Sequence, residues 1–274
     1  MQKVGRILVV LNECGMCDEV IKKSAELAKH LKAGVTILYV REEALFELPI
    51  YHGEQSDLES VRKKLKSIAK EAGLENVAVF VYENDTIDRV SLEAERENDT
   101  LIITAYTPKL SYKLCKKAPA PVLVLKKAKT AYAKAVVSID SVAETKRCLT
   151  FVRELFPRTA LHLYQDYQYF SQPIADPFVD PMIEPYDMSM DLIENNEMIQ
   201  ARKEAFYKLC EEEGVEGTFL MGEKTIDQNI AAFVSDKGAD LLVVDLLDGA
   251  TLLAMALEDI LEKTTVDTLV CREQ

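Results

Sequence analysis

The chain has 274 residues, of which 48% are hydrophobic, and a formal net charge of −13. This globular composition suits one large domain or two of about 130 to 140 residues, and no segment approaches the roughly 18 apolar residues of a membrane-spanning helix. The apolar run near the N-terminus is short, ends at Asn12 and Glu13, and lacks a cleavage-site pattern. We therefore expect a strand there rather than a signal peptide, and a cytoplasmic protein without a membrane partner.

The charge is distributed unevenly between the two halves of the chain. Residues 1–130 contain 21 Lys and Arg against 19 Asp and Glu, whereas residues 131–274 contain 12 against 27. An acidic half repels phosphate backbones, so the sequence predicts no nucleic-acid partner. The asymmetry fits either divergence of the halves or docking of the near-neutral half on the acidic one.

Apolar runs alternate with amphipathic segments through the first half, which predicts strands buried on both faces of a sheet and helices between them. Acids near predicted helix starts (Asp18, Asp57, Asp85) and glycines near helix ends (Gly34, Gly73) support these boundaries. The predicted strands are 6–11, 35–40, 77–81, 101–104 and 121–125, and the predicted helices are 18–32, 57–72 and 85–97.

The second half repeats this order of elements. Aligning the first strands sets Asn12 against Asp140, an offset of 128, and the offset grows to 140 at the fourth strand and 146 at the fifth. The repeat predicts two α/β domains, 1–129 and 130–274, each with a doubly wound, five-stranded parallel sheet of Rossmann-like type. The predicted strands are 135–139, 160–164, 217–221, 241–244 and 268–271, and the predicted helices are 143–156, 191–213, 226–237 and 252–263.

Several segments resemble one protein family. The resemblance occurs once in each half and together covers nearly the whole chain. RILVVLNECGMCDEVIKKSAELAKHLKAGVTILYV resembles the start of a universal stress protein, DTLIITAY and ADLLVVDL resemble its fourth strand, and KKAPAPVLVLK and LEKTTVDTLVCRE resemble its closing segment. The resemblance implies a stress-response protein of the adenine-nucleotide-hydrolase-like fold, often oligomeric, whose tandem halves pair as a pseudo-dimer. Some members of this family bind ATP and others do not.

ATP-binding members carry a Gly-x-x-Gly and a later Gly-Ser or Gly-Thr after strand four, where glycines let backbone N–H groups approach phosphates. The first half has no glycine between Ala105 and Lys117 and is shorter there, and the second has only Gly249. Ala254 and Met255 fall where Gly-Ser or Gly-Thr would stand, and Asp245 would repel phosphates. We therefore expect no cofactor, with ATP disfavoured.

The ends of the first strands supply the remaining ligand-binding candidates. The family often has an aspartate at the end of strand one, and here the matching positions hold Asn12 and Asp140, so that only the second half conforms. The carboxylate of Asp140 suits either a ribose hydroxyl or a cap on the following helix. The ligand-binding candidates are thus Asn12, Asp140, Asp245 and Gly249, and the resemblance implies no catalytic residue.

Six cysteines are scattered through the chain, and most are expected to be reduced core residues. Cys14 and Cys17 form a Cys-x-x-Cys ahead of the first helix, where a helix N-terminus lowers a thiol pKa and favours redox chemistry. They do not complete a zinc site; Cys115 could approach them, but no fourth ligand is evident, and we expect no metal.

Two further segments have an unassigned role. Residues 109–134 contain eight lysines and no acid, which suits an anionic ligand or the acidic second half. Residues 165–189 form a long connection with Pro173, Pro177, Pro181 and Pro185 at every fourth position, and its length predicts a functional or mobile loop that could cover a groove or grip a partner.

These observations favour a non-enzymatic stress-response or regulatory protein that acts through protein contacts or a weakly bound small ligand. We expect that ligand at the ends of strands one and four of the second half, beneath the proline-rich loop. A degenerate adenine-nucleotide-binding protein and a thiol redox sensor using Cys14 and Cys17 are the alternatives. Expected partners are another protein or a second copy of the chain.

Overall fold

The structure, a computed structural model, describes residues 3–12, 16–41, 58–97, 99–143, 145–167, 188–222, 224–246 and 252–272, with only the backbone over 188–195. Five strands and four helices alternate through the first half. They are β1 (Arg6–Leu11), α1 (Cys17–Leu31), β2 (Gly34–Arg41), α2 (Leu58–Glu71), β3 (Ala78–Glu83), α3 (Thr86–Ala94), β4 (Thr100–Ala105), α4 (Leu110–Lys117) and β5 (Val122–Leu125).

The second half has the same order of elements. They are β6 (Lys134–Ser138), α5 (Thr145–Leu155), β7 (Ala160–Asp166), α6 (Met188–Glu213), β8 (Glu216–Leu220), α7 (Ile226–Asp236), β9 (Leu241–Asp245), α8 (Leu252–Lys263) and β10 (Asp267–Cys271). None of the described helices is both long enough and apolar enough to cross a membrane.

The ten strands among the described residues form one sheet in the order β3-β2-β1-β4-β5-β10-β9-β6-β7-β8. Pairing is parallel within each half, as predicted, and β5 pairs antiparallel with β10, so the two halves pair with each other. Leu123 lies opposite Leu269, its equivalent at an offset of 146, which places an approximate two-fold axis between these residues. The predicted domain boundary at 129/130 falls between β5 and β6.

Two apolar layers cover the sheet because alternate strand residues point to opposite faces. Val9 belongs to the layer that α1, α2, α5 and α6 cover, and Val10 belongs to the layer under α3, α4, α7 and α8. Both layers contain buried residues from both halves. Fully burying each such side chain contributes roughly 1.5–3 kcal/mol, so the layers stabilise the two halves as well as the junction between them.

The boundaries differ from the sequence prediction at informative points. Helix α4 was not predicted, because its eight residues show one buried i,i+4 pattern too short to distinguish from a loop. Helix α1 ends at Leu31, its C-cap Lys32 takes the left-handed conformation at φ 56°, and Gly34 instead begins β2. Asp85 precedes α3, as expected, but at φ 61° its side chain makes no capping hydrogen bond.

The connection between the halves folds around one buried carboxylate. Asp267, the first residue of β10, is fully buried and accepts hydrogen bonds from the backbone N–H groups of residues 126 and 127 at 2.7 Å and of residues 128 and 129 at 3.2 Å. Its second oxygen also accepts from the hydroxyl of Tyr132 at 2.8 Å, and burial together with this carboxylate raises the Tyr132 pKa. These hydrogen bonds therefore give the connection a defined conformation against β10.

Two lysines of the lysine-rich stretch 109–134 contact the second half of the chain. Lys126 donates to the backbone carbonyls of Leu261 and Thr264 at the end of α8, and burial lowers its pKa to about 8. Lys129 lies 3.5 Å from the carboxylate of Asp240 in the second half. This part of the stretch faces the second half, which is one of the two roles that the sequence suits.

Candidate functional site

A pocket of about 570 Å³ lies in the first half, at the carboxyl ends of β1 and β4. A doubly wound sheet offers this place to ligands because the winding direction reverses there. Ten of the described residues, from three segments, line the pocket: Asn12 after β1, residues 85–88 at the start of α3, and Thr107, Pro108, Lys109, Leu110 and Lys113 around the start of α4. The volume is in the range of small-molecule sites, about 300–1,000 Å³.

Two hydrogen bonds connect residues of the pocket lining to each other and to α4. The side-chain amide of Asn12 donates to the hydroxyl of Thr107 at 3.1 Å, which joins the end of β1 to the connection after β4. The backbone N–H of Thr107 in turn donates to the hydroxyl of Ser111 at 2.9 Å. The predicted residue Asn12 thus lies in the site, where it has both a structural bond and a surface toward the pocket.

The pocket lining carries charges of both signs. Lys109 and Lys113 belong to the lining segment around the start of α4, where a helix N-terminus adds positive potential. Asp85 and Asp88 belong to the lining segment around the start of α3. Lys109 has φ 61° and ψ −44°, a positive-φ conformation that is uncommon for a lysine.

The equivalent place in the second half has a different arrangement. Asp140, which aligns with Asn12, accepts a hydrogen bond from the backbone N–H of Leu253 at 2.9 Å. Leu253 is in the first turn of α8, so the carboxylate caps this later helix; the capping proposed from the sequence concerned the helix that follows Asp140. The anion-binding position at this helix N-terminus therefore holds a carboxylate of the chain itself.

A difference in helix length accompanies this contrast. At the offset of 146 the last residue of α4, Lys117, matches the last residue of α8, Lys263, but α8 has twelve residues and α4 has eight. The extra turn of α8 lies at its N-terminus, where it meets Asp140. The first half lacks that turn, which leaves room for the pocket.

Neighbouring polar groups in the second half are also paired with one another. The side-chain amide of Gln165 donates to the backbone carbonyl of Asp140 at 2.7 Å. Asp166, buried at the end of β7, accepts from the side chain of Asn229 at 2.7 Å and from the backbone N–H of Gly222 at 3.3 Å. These bonds fix the ends of β6 and β7 with groups from the chain itself.

Of the two remaining ligand-binding candidates, Asp245 is buried at the end of β9, in register with Cys271 of β10. Its carboxylate contributes to the raised pKa of Cys148, which places it toward the α5 face of the sheet. Gly249 lies outside the described residues.

The redox candidates are only partly described, since Cys14 lies outside the described residues. Cys17 is the first residue of α1, and its sulfur lies 3.6 Å from the backbone carbonyl oxygen of Asn12. Cys115 is fully buried on the opposite face of the sheet, where burial raises its pKa to about 12. Cys115 therefore does not approach Cys17, and the residues with described side chains contain no cluster suited to a metal ion.

The structure also identifies site residues that sequence reasoning missed. Thr86, Thr107, Lys109 and Lys113 line the pocket, and the only sequence signal among them is that both lysines belong to the acid-free stretch. The pocket is in the first half, whereas the sequence placed the expected ligand in the second half under the proline-rich loop. Residues 168–187 of that loop lie outside the described residues, so its covering role stays a prediction.

Comparisons with known proteins agree with this architecture. A family model described as the universal stress protein family matches residues 3–126. The structure is similar to that of a functionally unknown protein from Pseudomonas aeruginosa PAO1, with a TM-score of 0.67 at 17% identity, covering 98% of this chain and 93% of that one. It is also similar to a universal stress protein from Archaeoglobus fulgidus DSM 4304, with a TM-score of 0.64 at 16% identity, covering 98% and 96%.

No curated protein matches the chain in sequence. At these identities the two solved structures establish the fold over the whole chain, and the family assignment comes from the match to the first half. Residues 3–126 therefore match the universal stress protein family, and the second half repeats the fold of the first.

Proposed function

We propose that this stress-response protein is a non-catalytic regulator that binds a small polar ligand with an anionic group in the pocket of its first half. The observation that carries the proposal is that Lys109 and Lys113 both line that pocket around the N-terminus of α4. Phosphate and carboxylate groups bind at such places because backbone N–H groups and lysine ammonium groups act together.

The rest of the pocket lining suits the neutral part of such a ligand. Asp85, Asp88 and Thr86 offer acceptors for hydroxyl or amino groups, and Asn12 offers a side chain that both donates and accepts. Without glycines after β4, the chain has no close-fitting backbone loop for a triphosphate. We therefore propose that a monophosphate binds at least as well as ATP, and that tight ATP binding is absent.

Isothermal titration calorimetry with AMP, ribose 5-phosphate and ATP tests this function. Lys109→Gly removes an ammonium while keeping a residue suited to φ 61°, and Lys113→Ala removes the second ammonium from an exposed helical position. Each change should weaken binding of the monophosphates about 3- to 10-fold, since a hydrogen bond to a charged group contributes about 1.5 kcal/mol or less at an exposed site.

Lys117→Ala is the matched control, because Lys117 is an exposed lysine of the same helix that does not line the pocket. Its affinity should equal that of the wild type. Absence of heat with all three probes at millimolar concentration would sink the ligand proposal and favour regulation through protein contacts. The cytoplasmic location and the absence of catalysis expected from the sequence stay predictions.

A further inference from the structure

Two buried cysteines meet in the apolar layer of the second half. Cys148 is in α5 and Cys271 is the last residue of β10, and both are fully buried. Their sulfur atoms are 2.7 Å apart. A disulfide has a sulfur–sulfur distance of about 2.05 Å, so a bond between them requires only a small local movement and no separation of packed elements.

The repeat shows that this core position does not require sulfur. At the offset of the first strands Cys148 matches Val20 in α1, and at the offset of the fifth strands Cys271 matches Leu125 in β5. Val20 and Leu125 are fully buried in the same apolar layer. Aliphatic side chains therefore occupy the equivalent positions in the first half, and at these two positions only the second half has thiols.

We propose that Cys148 and Cys271 form a modification site, which a peroxide oxidises to an intramolecular disulfide. One thiolate attacks the peroxide, which breaks the O–O bond and leaves a sulfenic acid and one water. The second thiol then displaces the hydroxyl group of that sulfenic acid as a second water. Two cysteine sulfurs are oxidised, one hydrogen peroxide is reduced to two waters, and one S–S bond forms.

The surroundings of the pair determine its rate of oxidation. Burial raises the pKa of Cys148 well above its usual value, and the nearby carboxylate of Asp245 adds to this effect. Because the thiolate is the reactive species, the pair should react slowly and record sustained exposure rather than a brief pulse. The resulting bond would tie α5 to β10, the strand that pairs with the first half.

The test exposes the full-length protein to hydrogen peroxide, alkylates the remaining thiols and maps cross-linked peptides by mass spectrometry. We expect the loss of two hydrogens, localised to a Cys148–Cys271 cross-link, and a rise in Tm of roughly 5–10 °C. The variants Cys148→Val and Cys271→Leu, which restore the first-half residues, should fold and lack both effects. Cys17→Ser, which removes a half-exposed thiol, should keep them.

A pair that stays reduced after prolonged exposure, when Cys17 is already fully modified, would overturn the proposal. Cross-links that map only to other pairs, such as Cys14 and Cys17, would do the same. Neither result depends on the pocket of the first half, since the proposal involves no ligand.

Discussion

The two halves share one fold but differ at the place where this fold binds ligands. In the first half Asn12 contacts the hydroxyl of Thr107, and a pocket lies open beside the N-terminus of α4. In the second half Asp140 accepts a hydrogen bond from the first turn of α8. A pocket and a capped helix thus occupy equivalent positions of one sheet.

Two small differences between the halves determine whether this position forms a pocket or a capped helix. One difference is the residue after the first strand, which is the neutral Asn12 in the first half and the acidic Asp140 in the second half. The other is one turn of helix after the fourth strand, which α8 has and α4 lacks. A carboxylate within reach of a helix N-terminus satisfies its N–H groups and its dipole, so the second half supplies its own anion.

Removing the carboxylate that holds the connection between the halves should have the largest effect. The first half has Pro121 at the position equivalent to Asp267, so only the second half can anchor residues 126–132 in this way. Asp267→Ala should lower the free energy of unfolding by about 3 kcal/mol, because several part-buried N–H groups lose their acceptor. Urea denaturation of the variant and the wild type measures this loss.

Asp259→Ala is the matched control for Asp267→Ala, because Asp259 is an exposed aspartate on the neighbouring helix α8. Its effect should be within about 0.5 kcal/mol. A loss below about 1 kcal/mol for Asp267→Ala would mean that water replaces the carboxylate and that the connection does not depend on it.

Exchanging the residues after the first strands tests the contrast directly. Asp140→Asn should lower the free energy of unfolding by about 1 kcal/mol, because the charge at the N-terminus of α8 is lost. Asn12→Asp should change it by less than about 0.5 kcal/mol, since the side chain of Asn12 contacts a hydroxyl and not a helix N–H. Urea denaturation at low and high salt measures the free energy of unfolding of each variant and so distinguishes the two effects.

Salt provides the internal control for this exchange. Screening weakens interactions with the helix dipole, so the difference between Asp140→Asn and the wild type should shrink at high salt. Equal losses for both exchanges at low salt would contradict the proposed contrast between the halves. Asn12→Asp should in addition weaken binding of a monophosphate, since it places a carboxylate in the pocket.

Most of the fold could be predicted from the sequence because its signals are local or repeated. Continuous apolar runs mark β1 and β9, and the offsets of 128, 140 and 146 agree with the strand register, in which Ile7 pairs with Leu101 and Ala135 with Leu241. The site was less predictable. Asp140 reaches a helix more than a hundred residues away, and no local pattern indicates such a contact.

The missed features share this physical origin. Helix α4 is too short for a clear period, and Lys109 adopts a positive φ without a glycine to signal it. The meeting of Cys148 and Cys271 depends on packing between α5 and β10, whereas the sequence drew attention to the adjacent pair Cys14 and Cys17. Spacing along the chain indicates neighbours in sequence, and the fold decides which distant residues meet.

The smallest expected effect concerns pH and again separates the halves. His162 in β7 matches Thr36 in β2, and its ring nitrogens lie 2.9 Å from the hydroxyl of Thr218 and 3.3 Å from the carboxylate of Glu216. Burial lowers the His162 pKa, with Lys237 and Lys134 adding to the shift and Glu216 opposing it. At this position only the second half has a titratable side chain.

A histidine pKa that is lower in the folded state means that the unfolded chain binds the proton more readily. The contribution of His162 to stability is therefore present above the usual value of about 6.5 and is lost as the pH falls below it. His162→Thr, which restores the first-half residue, should reduce the drop in the free energy of unfolding between pH 7.5 and pH 5.5. Urea denaturation at both pH values measures the drop, and His30→Gln, which changes an exposed histidine, is the control. An unchanged drop in His162→Thr would mean that other groups of the chain cause the acid sensitivity.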